Sequence, residues 1–419
     1  MTTFFNNLPG QLFLILIATL PIQLSKHFWP RFSQVLGLRI DYLAPTIFLT
    51  DIVILVFILS SSVAIFKNRN FATRRFFLLL GLFLVSFLAA AVFSPDRALS
   101  FWSFLKLLEF SAFLAAVASL RFEKIYSKFV KIFAAISLFS VGLGFIQMWQ
   151  QKSVELWLLG ERSFNIASPG IATIAFEGNT VLRPYATFPH PNVLAGFLVI
   201  SFFIILTSNL KKLVKLSTLT FLAFGILLTF SRTAWLGLGL GLTILAAMNL
   251  SWTNLAKIGG FLVVILVFIF AIFPQNLFTT RLLQIGNSDK ESFVLRVKLA
   301  DGAVKMFLDN PLLGVGPGNF IPNLEKYWKP VESFRFFQPV HNVVLLILAE
   351  AGVVGMAAVG LFFLASLKNI FRRPTKELSF LVPCWGAVLL ISLFDHYFWT
   401  LQQGQILFFL LLGLSWRRV

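Results

Sequence analysis

Long apolar runs separated by short clusters of lysine and arginine set the pattern of this chain. A membrane-spanning helix needs about 20 mostly apolar residues. The runs at 9–24, 43–65, 76–94, 98–120, 128–149, 191–209, 214–230, 233–250, 256–273, 341–367, 378–396 and 402–416 each predict one, about twelve in all. The first has no basic leader and no A-x-A-like cleavage site, so it reads as a retained span. Lys67, Arg69, Arg74 and Arg75 lie between spans 2 and 3, and Arg121, Lys124, Lys128 and Lys131 between 4 and 5. Lys211, Lys212 and Lys215 lie between 6 and 7; Lys257 follows span 8, Lys368, Arg372, Arg373 and Lys376 follow span 10, and Arg417 and Arg418 end the chain. All of these fall on one side if both termini are cytoplasmic, the arrangement that basic loops favour. The long connections 150–190 and 274–340 then both lie outside. The expectation is an all-α polytopic membrane protein: a single integral membrane domain over 1–419, with about twelve transmembrane helices and a large external loop between spans 9 and 10.

Composition agrees and removes alternatives. The chain is 58% hydrophobic and 12% charged over 419 residues, with 51 phenylalanines and a mean hydropathy of +0.85. That profile excludes a soluble domain. A net charge of +18 would fit nucleic acid only if gathered on one face with interleaved aromatics. Here it is scattered between apolar runs, so no nucleic-acid partner is expected and the lipid bilayer is. A single cysteine, Cys384, excludes an internal disulfide or a CxxC redox pair.

Attention then falls on polar residues that are costly to place. The segment 215–250 would be roughly 54 Å long as one helix, too long for a hydrocarbon core of about 30 Å. It must turn at Ser231-Arg232-Thr233, its polar point. Arg232 either snorkels at the interface or meets a partner there. Gly237 to Gly241 read GxGxG, but inside a span this is a close-packing face and not a nucleotide loop. Asp51, the Lys106–Glu109 pair and Glu350 lie within spans and read as interhelical contacts first, function second.

Within the large external loop, Ser288 and Glu291 form a capping box and Pro311 disfavours helix at Asn310, so an amphipathic helix spans about 289–309. Lys298, Asp301, Lys305 and Asp309 share one face. Phe293, Ala300, Ala303, Val304 and Phe307 share the opposite one, with Arg296 in its middle. A guanidinium there needs an anion, whether a carboxylate elsewhere in the chain or a ligand. Gly314, Gly316 and Gly318, with Pro311 and Pro317, then form a rigid turn that allows close backbone approach. His341 follows in the first turn of span 10, where the helix dipole disfavours imidazolium. It is either an interfacial histidine or a neutral base; Glu350 lies about 13 Å along the helix from it. In the other external loop, Arg183, Tyr185, His190 and Asn192 lead into span 6; His190 either contacts substrate or is a turn residue between Pro189 and Pro191. All four histidines, His27, His190, His341 and His396, lie at or near the outer face under this topology. No metal site and no cofactor are expected: there is no HExxH, no His pair at i, i+4 and no external acidic cluster. The adjacent Asp395 and His396 do not by themselves suit shared ligation.

Three segments carry a resemblance: TFSRTAW (229–235), RVKLADGAVKMFLDNPLLGVGPGNF (296–320) and HNVVLLILAEAGVVG (341–355). With the twelve-span layout, they resemble the O-antigen ligase and Wzy-type O-antigen polymerase superfamily of bacterial membrane glycosyltransferases, with 191–367 as the ligase-like core. The resemblance implies a GT-C-like, inverting, metal-independent enzyme of the bacterial cytoplasmic membrane, active at its external face. It implies a donor glycan on undecaprenyl pyrophosphate and an acceptor glycan, glycolipid or protein. By motif, Arg232 and Arg296 would bind the donor pyrophosphate and His341 would be the base; Arg281 is the alternative loop arginine, and Arg183 and His190 are further donor-side candidates. The competing class is a membrane transporter or flippase, which would use ionisable residues deep in the spans.

Overall fold

The computed structural model describes residues 2–67, 74–176, 179–248, 260, 287–328, 337–372 and 375–417. In chain order its helices are α1 (Thr2–Thr19), α2 (Leu49–Lys67), α3 (Arg74–Val92), α4 (Arg97–Ala118), α5 (Tyr126–Gln150), α6 (Pro191–Leu206) and α7 (Lys212–Leu228), followed by α8 (Arg232–Ala247), α9 (Asn287–Asp309), α10 (Phe320–Tyr327), α11 (Val343–Arg372), α12 (Leu381–Ser392), α13 (Tyr397–Thr400) and α14 (Gln402–Ser415). Among the described residues, α3, α4, α5 and α11 are long and apolar enough to cross a membrane, and shorter apolar helices surround them. The protein is therefore membrane-embedded and mostly helical. Apart from residue 260, the expected span 256–273 lies outside the described residues, as does Arg281.

The helices pack as a bundle, with α8 against α12, α4 against α14 and α3 against α11. Stacked and edge-on phenylalanines fill its centre, among them Phe13, Phe57, Phe122 and Phe129. Half-buried between α2 and α4, the Lys106 ammonium lies 2.9 Å from both Asp51 and Glu109, and Gln402 donates to Asp51. Gly241 of α8 rests against Phe203 of α6 and the Pro383 carbonyl of α12.

Three departures from the sequence reading matter for the site. First, the connections between helices carry β-hairpins. Ser25–His27 (β1) pairs antiparallel with Thr46–Phe48 (β4), Gln34–Val35 (β2) with Leu38–Arg39 (β3), and Thr173–Phe176 (β5) with Asn179–Leu182 (β6). The second helix accordingly starts at Leu49 and not at 43, with the Asp51 carboxylate accepting from the Phe48 N–H at 2.9 Å where strand becomes helix. Second, the run 378–396 breaks after Ser392, and Asp395 and His396 sit in a turn before α13. Third, α9 is rotated by about one residue, ~100°, from the face expected for it. Leu299, Ala303 and Met306 are its buried residues, while Phe293 and Val304 are exposed.

Span 10 is not continuous either. Gly352 of α11 has φ 60°, ψ −166°, a conformation open essentially to glycine alone. The break frees backbone groups that must find partners, and the glycine-rich loop supplies them. Val353 N–H donates to the Pro311 carbonyl at 2.8 Å and Val354 N–H to Leu312 at 3.2 Å; in return Val315 N–H donates to Ala349 at 2.8 Å and Gly316 N–H to Glu350 at 2.9 Å. Such contact between two backbones leaves no room for a side chain. A Cβ on Gly352 would lie 2.3 Å from the Leu312 carbonyl carbon, and one on Gly314 (φ 67°) 2.4 Å from that of Glu350. Gly316 and Gly318 also have positive φ, 96° and 78°. The N-terminal end of α4 secures the far side of the loop: Ser94 and Ser100 hydroxyls donate to the Val315 and Pro317 carbonyls at 3.2 and 3.0 Å.

Candidate functional site

A cavity of about 1760 Å³ opens between the hairpins, the loop ahead of α6, the α7–α8 turn, α9 and the turn after α12. Arg232, Arg296 and His341 all line it, as do Arg183 and all four histidines. Segments far apart in sequence thus contribute their costly polar groups to one space.

The α7–α8 turn is tight because Ser231 is the N-cap of α8 and Phe230 takes φ 51°. Arg232 opens α8 at the cavity wall. Arg183 has a different position from a free donor-binding group. It is buried; its Nε donates to the Thr229 carbonyl at 2.8 Å and its Nη2 to Asn192 Oδ1 at 2.8 Å. A cation bonded to the carbonyl just past the C-terminal end of α7 also suits the helix dipole. His190 is the N-cap of α6, its Nδ1 accepting from the Asn192 N–H at 3.1 Å. The turn reading of His190 describes that contact, although its ring also lines the cavity. The loop carrying both residues is held by Gln147 of α5, whose amide oxygen accepts from Tyr185 N and Ala186 N at 3.0 and 2.7 Å.

Asn192 continues the chain of contacts, donating from Nδ2 to Asp395 Oδ2 at 2.8 Å. The other Asp395 oxygen accepts from the His396 N–H at 2.8 Å. His396 Nδ1 lies 2.6 Å from Thr400 Oγ1, and its ring stands edge-on to that of His341, centroids 5.0 Å apart. One ring nitrogen each from His341 and His396 and one Asp395 oxygen lie within 4.8 Å of one another. Sequence reasoning passed over Asp395 and His396, because adjacent residues in a helix or strand point apart. In the turn after α12 both reach the same point. The signal was a charged Asp-His pair at the end of an apolar run, where unpaired charge is costly.

His341 precedes α11, and its Nδ1 is buried without a hydrogen-bond partner among the described residues; the same is true of Arg296 Nε. Arg296 sits on α9 between the buried face and the exposed residues Phe293 and Val297. Burial lowers the His341 pKa below its ordinary value; Asp395 opposes that and Arg296 adds to it. Burial likewise takes His190 down to about 3, with the Arg183 charge contributing, and His396 down to about 3. Burial works against the Asp395 charge, but the surrounding imidazoles and the Asn192 amide outweigh it and hold the carboxyl below its usual range. At neutral pH His190, His341 and His396 therefore stand as neutral imidazoles around the Asp395 carboxylate, with the Arg183 and Arg296 side chains on the same cavity.

Two imidazoles and a carboxylate are also a donor set that transition metals accept. Both Asp395 oxygens already accept hydrogen bonds, and the Arg296 charge disfavours positive charge on both imidazoles. The electrostatics suit an anion better than a cation. Glu350, next to the break in α11, is buried at the cavity wall and accepts from the Phe320 N–H at 3.3 Å, which fixes the start of α10.

None of the curated proteins compared with the chain matches it. Residues 216–360, the stretch that carries Arg232, Arg296 and His341, match the family model described as O-Antigen ligase, which supports the resemblance to the O-antigen ligase/polymerase superfamily.

Proposed function

We propose that the protein transfers a glycan from an undecaprenyl-pyrophosphate-linked donor to an acceptor hydroxyl at the outer face of the cytoplasmic membrane. The transfer is of O-antigen ligase or polymerase type, with inversion and without a metal. The observation that carries this reading is the lining of one cavity by Arg232, Arg296 and His341. In the proposed reaction the two arginines bind the pyrophosphate and stabilise the charge it gains as it leaves. His341, neutral at working pH, takes the proton of the attacking hydroxyl. Asp395 stabilises the imidazolium that results.

The test uses purified protein in vesicles with lipid-linked oligosaccharide and a panel of acceptors. Wild type should give glycosylated acceptor and free lipid pyrophosphate. His341→Ala should insert and fold normally and lose transfer by about 10²–10⁴-fold. Arg296→Lys should also be impaired, because a fork is replaced by a point charge. Full turnover in His341→Ala would remove the base assignment, and wild-type turnover in Arg296→Lys would remove the clamp.

A further inference from the structure

The exposed surface of α9 divides into two sectors. Lys298, Asp301, Lys305 and Asp309 form a charged sector, with Lys305 bonded to Asp301 at 2.6 Å and the Lys298 ammonium 5.5 Å from the Trp328 ring centroid. Beside it runs an apolar sector that stands open among the described residues: Phe293 is 66% exposed, Val297 51%, Val304 41% and Leu308 66%, and Leu312 extends it at 65%. A helix at the surface of a water-soluble domain turns such a row toward its core. Here the core is served by a third sector, Leu299, Ala303 and Met306, packed with Phe320 and Leu346.

The depth of this row follows from its attachment to α11. Val353 and Val354 bond to the carbonyls of Pro311 and Leu312, so the C-terminal end of the row is fixed at their level. From Val353 to the basic end of α11 at Arg372 the helix rises about 28 Å, close to the ~30 Å thickness of a hydrocarbon core. Between those points α11 carries outward-facing Leu361, Leu364 and Phe371, and Val353 and Val354 are themselves 46% and 42% exposed. The apolar row of α9 is therefore continuous with the lipid-facing side of α11 and begins where the hydrocarbon ends.

We infer that α9 is an interfacial helix whose Phe293–Val297–Val304–Leu308 row is seated in the outer boundary of the bilayer, with its lysines at the level of the lipid headgroups. Amphipathic helices with an apolar row and a flanking basic sector bind membranes in this way. The inference requires only that the protein be membrane-embedded, and stands or falls separately from glycan transfer. Its consequence for the site is positional. Phe293 and Val294 line the cavity beside Arg296, so this guanidinium lies at headgroup depth, where the phosphates of a lipid-linked substrate reside.

The test replaces the single cysteine (Cys384→Ala) and introduces one cysteine at a time at Phe293, Val297, Leu308 or, on the charged sector, Lys305. Each is labelled with an environment-sensitive fluorophore and reconstituted in phosphatidylcholine–phosphatidylglycerol vesicles, with or without lipids carrying a nitroxide at a shallow or deep acyl position. Variants are used only if they elute as one species with wild-type thermal unfolding. Labels at 293, 297 and 308 should emit at shorter wavelength than the label at 305 and be quenched more by the shallow nitroxide than by the deep one. Water-like emission without quenching would overturn the inference, since the row would then face solvent. Short-wavelength emission without lipid quenching would overturn it equally, since protein, such as a second copy of the chain, would cover the row.

Discussion

Replacing Asp395 by asparagine removes one charge from the cluster around His341 while keeping the shape of the side chain. One oxygen of the carboxylate lies within 4.8 Å of a His341 ring nitrogen. At an effective dielectric constant of about 20, unit charges at that distance interact by about 3 kcal/mol, equivalent to roughly 2 pKa units. In the proposed reaction His341 is neutral at the start and positive after it takes the acceptor proton, so the carboxylate acts on the transition state and not on the ground state. With half of the charge developed, the loss is about tenfold in rate; with all of it, about 10²-fold. The sign on pH is fixed by the same argument. A base works only when unprotonated, so activity falls on the acid side as pH drops through the His341 pKa. Burial already places that pKa below its ordinary value against the opposing effect of Asp395. Asp395→Asn removes the opposition, so the acid limb of kcat/KM moves to still lower pH while the plateau falls. The assay is the pH–rate profile of wild type and variant in the same vesicles, with thermal unfolding as the control for folding. A lower plateau with an unmoved limb would mean that Asp395 acts only through its bonds to Asn192 and the His396 backbone. A wild-type plateau would refute the electrostatic argument altogether.

Three further outcomes follow from the geometry. Gly314→Ala adds a Cβ 2.4 Å from the Glu350 carbonyl carbon at φ 67°; strain of about 1–3 kcal/mol, before any clash is relieved, should lower the unfolding temperature well below that of a Gly239→Ala control, where a Cβ meets nothing within 4 Å. Arg183→Met keeps much of the side-chain volume but leaves the Thr229 carbonyl and Asn192 Oδ1 without this donor; a loss of about 3 kcal/mol in stability is expected, since hydrogen bonds to charged groups contribute about 1.5–3 kcal/mol each, and unchanged denaturation would show the bonds to be immaterial. His190 and His396 have folded pKa values of about 3 against an ordinary 6.5, so the unfolded chain binds more protons below pH 6.5 and stability falls with acidity from there down to about pH 3; each contributes about 2 kcal/mol of loss at pH 5, which a series of thermal melts between pH 7 and pH 4 would detect, and a flat series would contradict.

How much of this was legible in the sequence differs from element to element. The apolar runs give the helices because a 20-residue run of Leu, Phe and Val has no stable alternative in lipid. The break at Ser231-Arg232-Thr233 was legible from length: a mostly apolar stretch of 36 residues, 215–250, is too long for one span. The helix α9 was legible from its capping box and from Pro311, but the face it buries was not. Its apolar residues exceed what one neighbour can cover, and the periodic pattern averages a lipid-facing row with a core-facing one, so Phe293 and Val304 were assigned to the core and stand exposed. Gly352 was illegible as a break, since a glycine inside an apolar run commonly marks close helix packing. Only its partner loop, 38 residues earlier at Gly314, gives it a reason. Arg183 read as a donor-side candidate from its place in the loop that leads into span 6; it lines the cavity, and its guanidinium also bonds Thr229 and Asn192. Asp395 and His396 were the main omission, because convergence across more than 50 residues from His341 leaves no local pattern.

The contacts of Arg183 bear on how the site is assembled. Its guanidinium bonds the Thr229 carbonyl, three residues before Arg232, and the Asn192 side chain; Asn192 bonds Asp395, and Asp395 faces the His341 imidazole. The three hydrogen bonds are short, 2.8 Å each, so the turn near Arg232 and the carboxylate opposite His341 are held in one register by side chains and not merely by helix packing. The glycine-rich loop does the same from the other direction. It is bonded to the backbone of α11 on both sides of Gly352, and it follows the helix that carries Arg296. His341, ahead of α11, thus lies beside two networks, one next to the turn that carries Arg232 and one that follows the helix that carries Arg296. Two cations and a base can act on a single departing pyrophosphate and a single attacking hydroxyl only if their separations are fixed before the substrate arrives. In the proposed reaction that fixing falls to residues that tie the walls of the cavity together: Arg183, Asn192, Gly314 and Gly352.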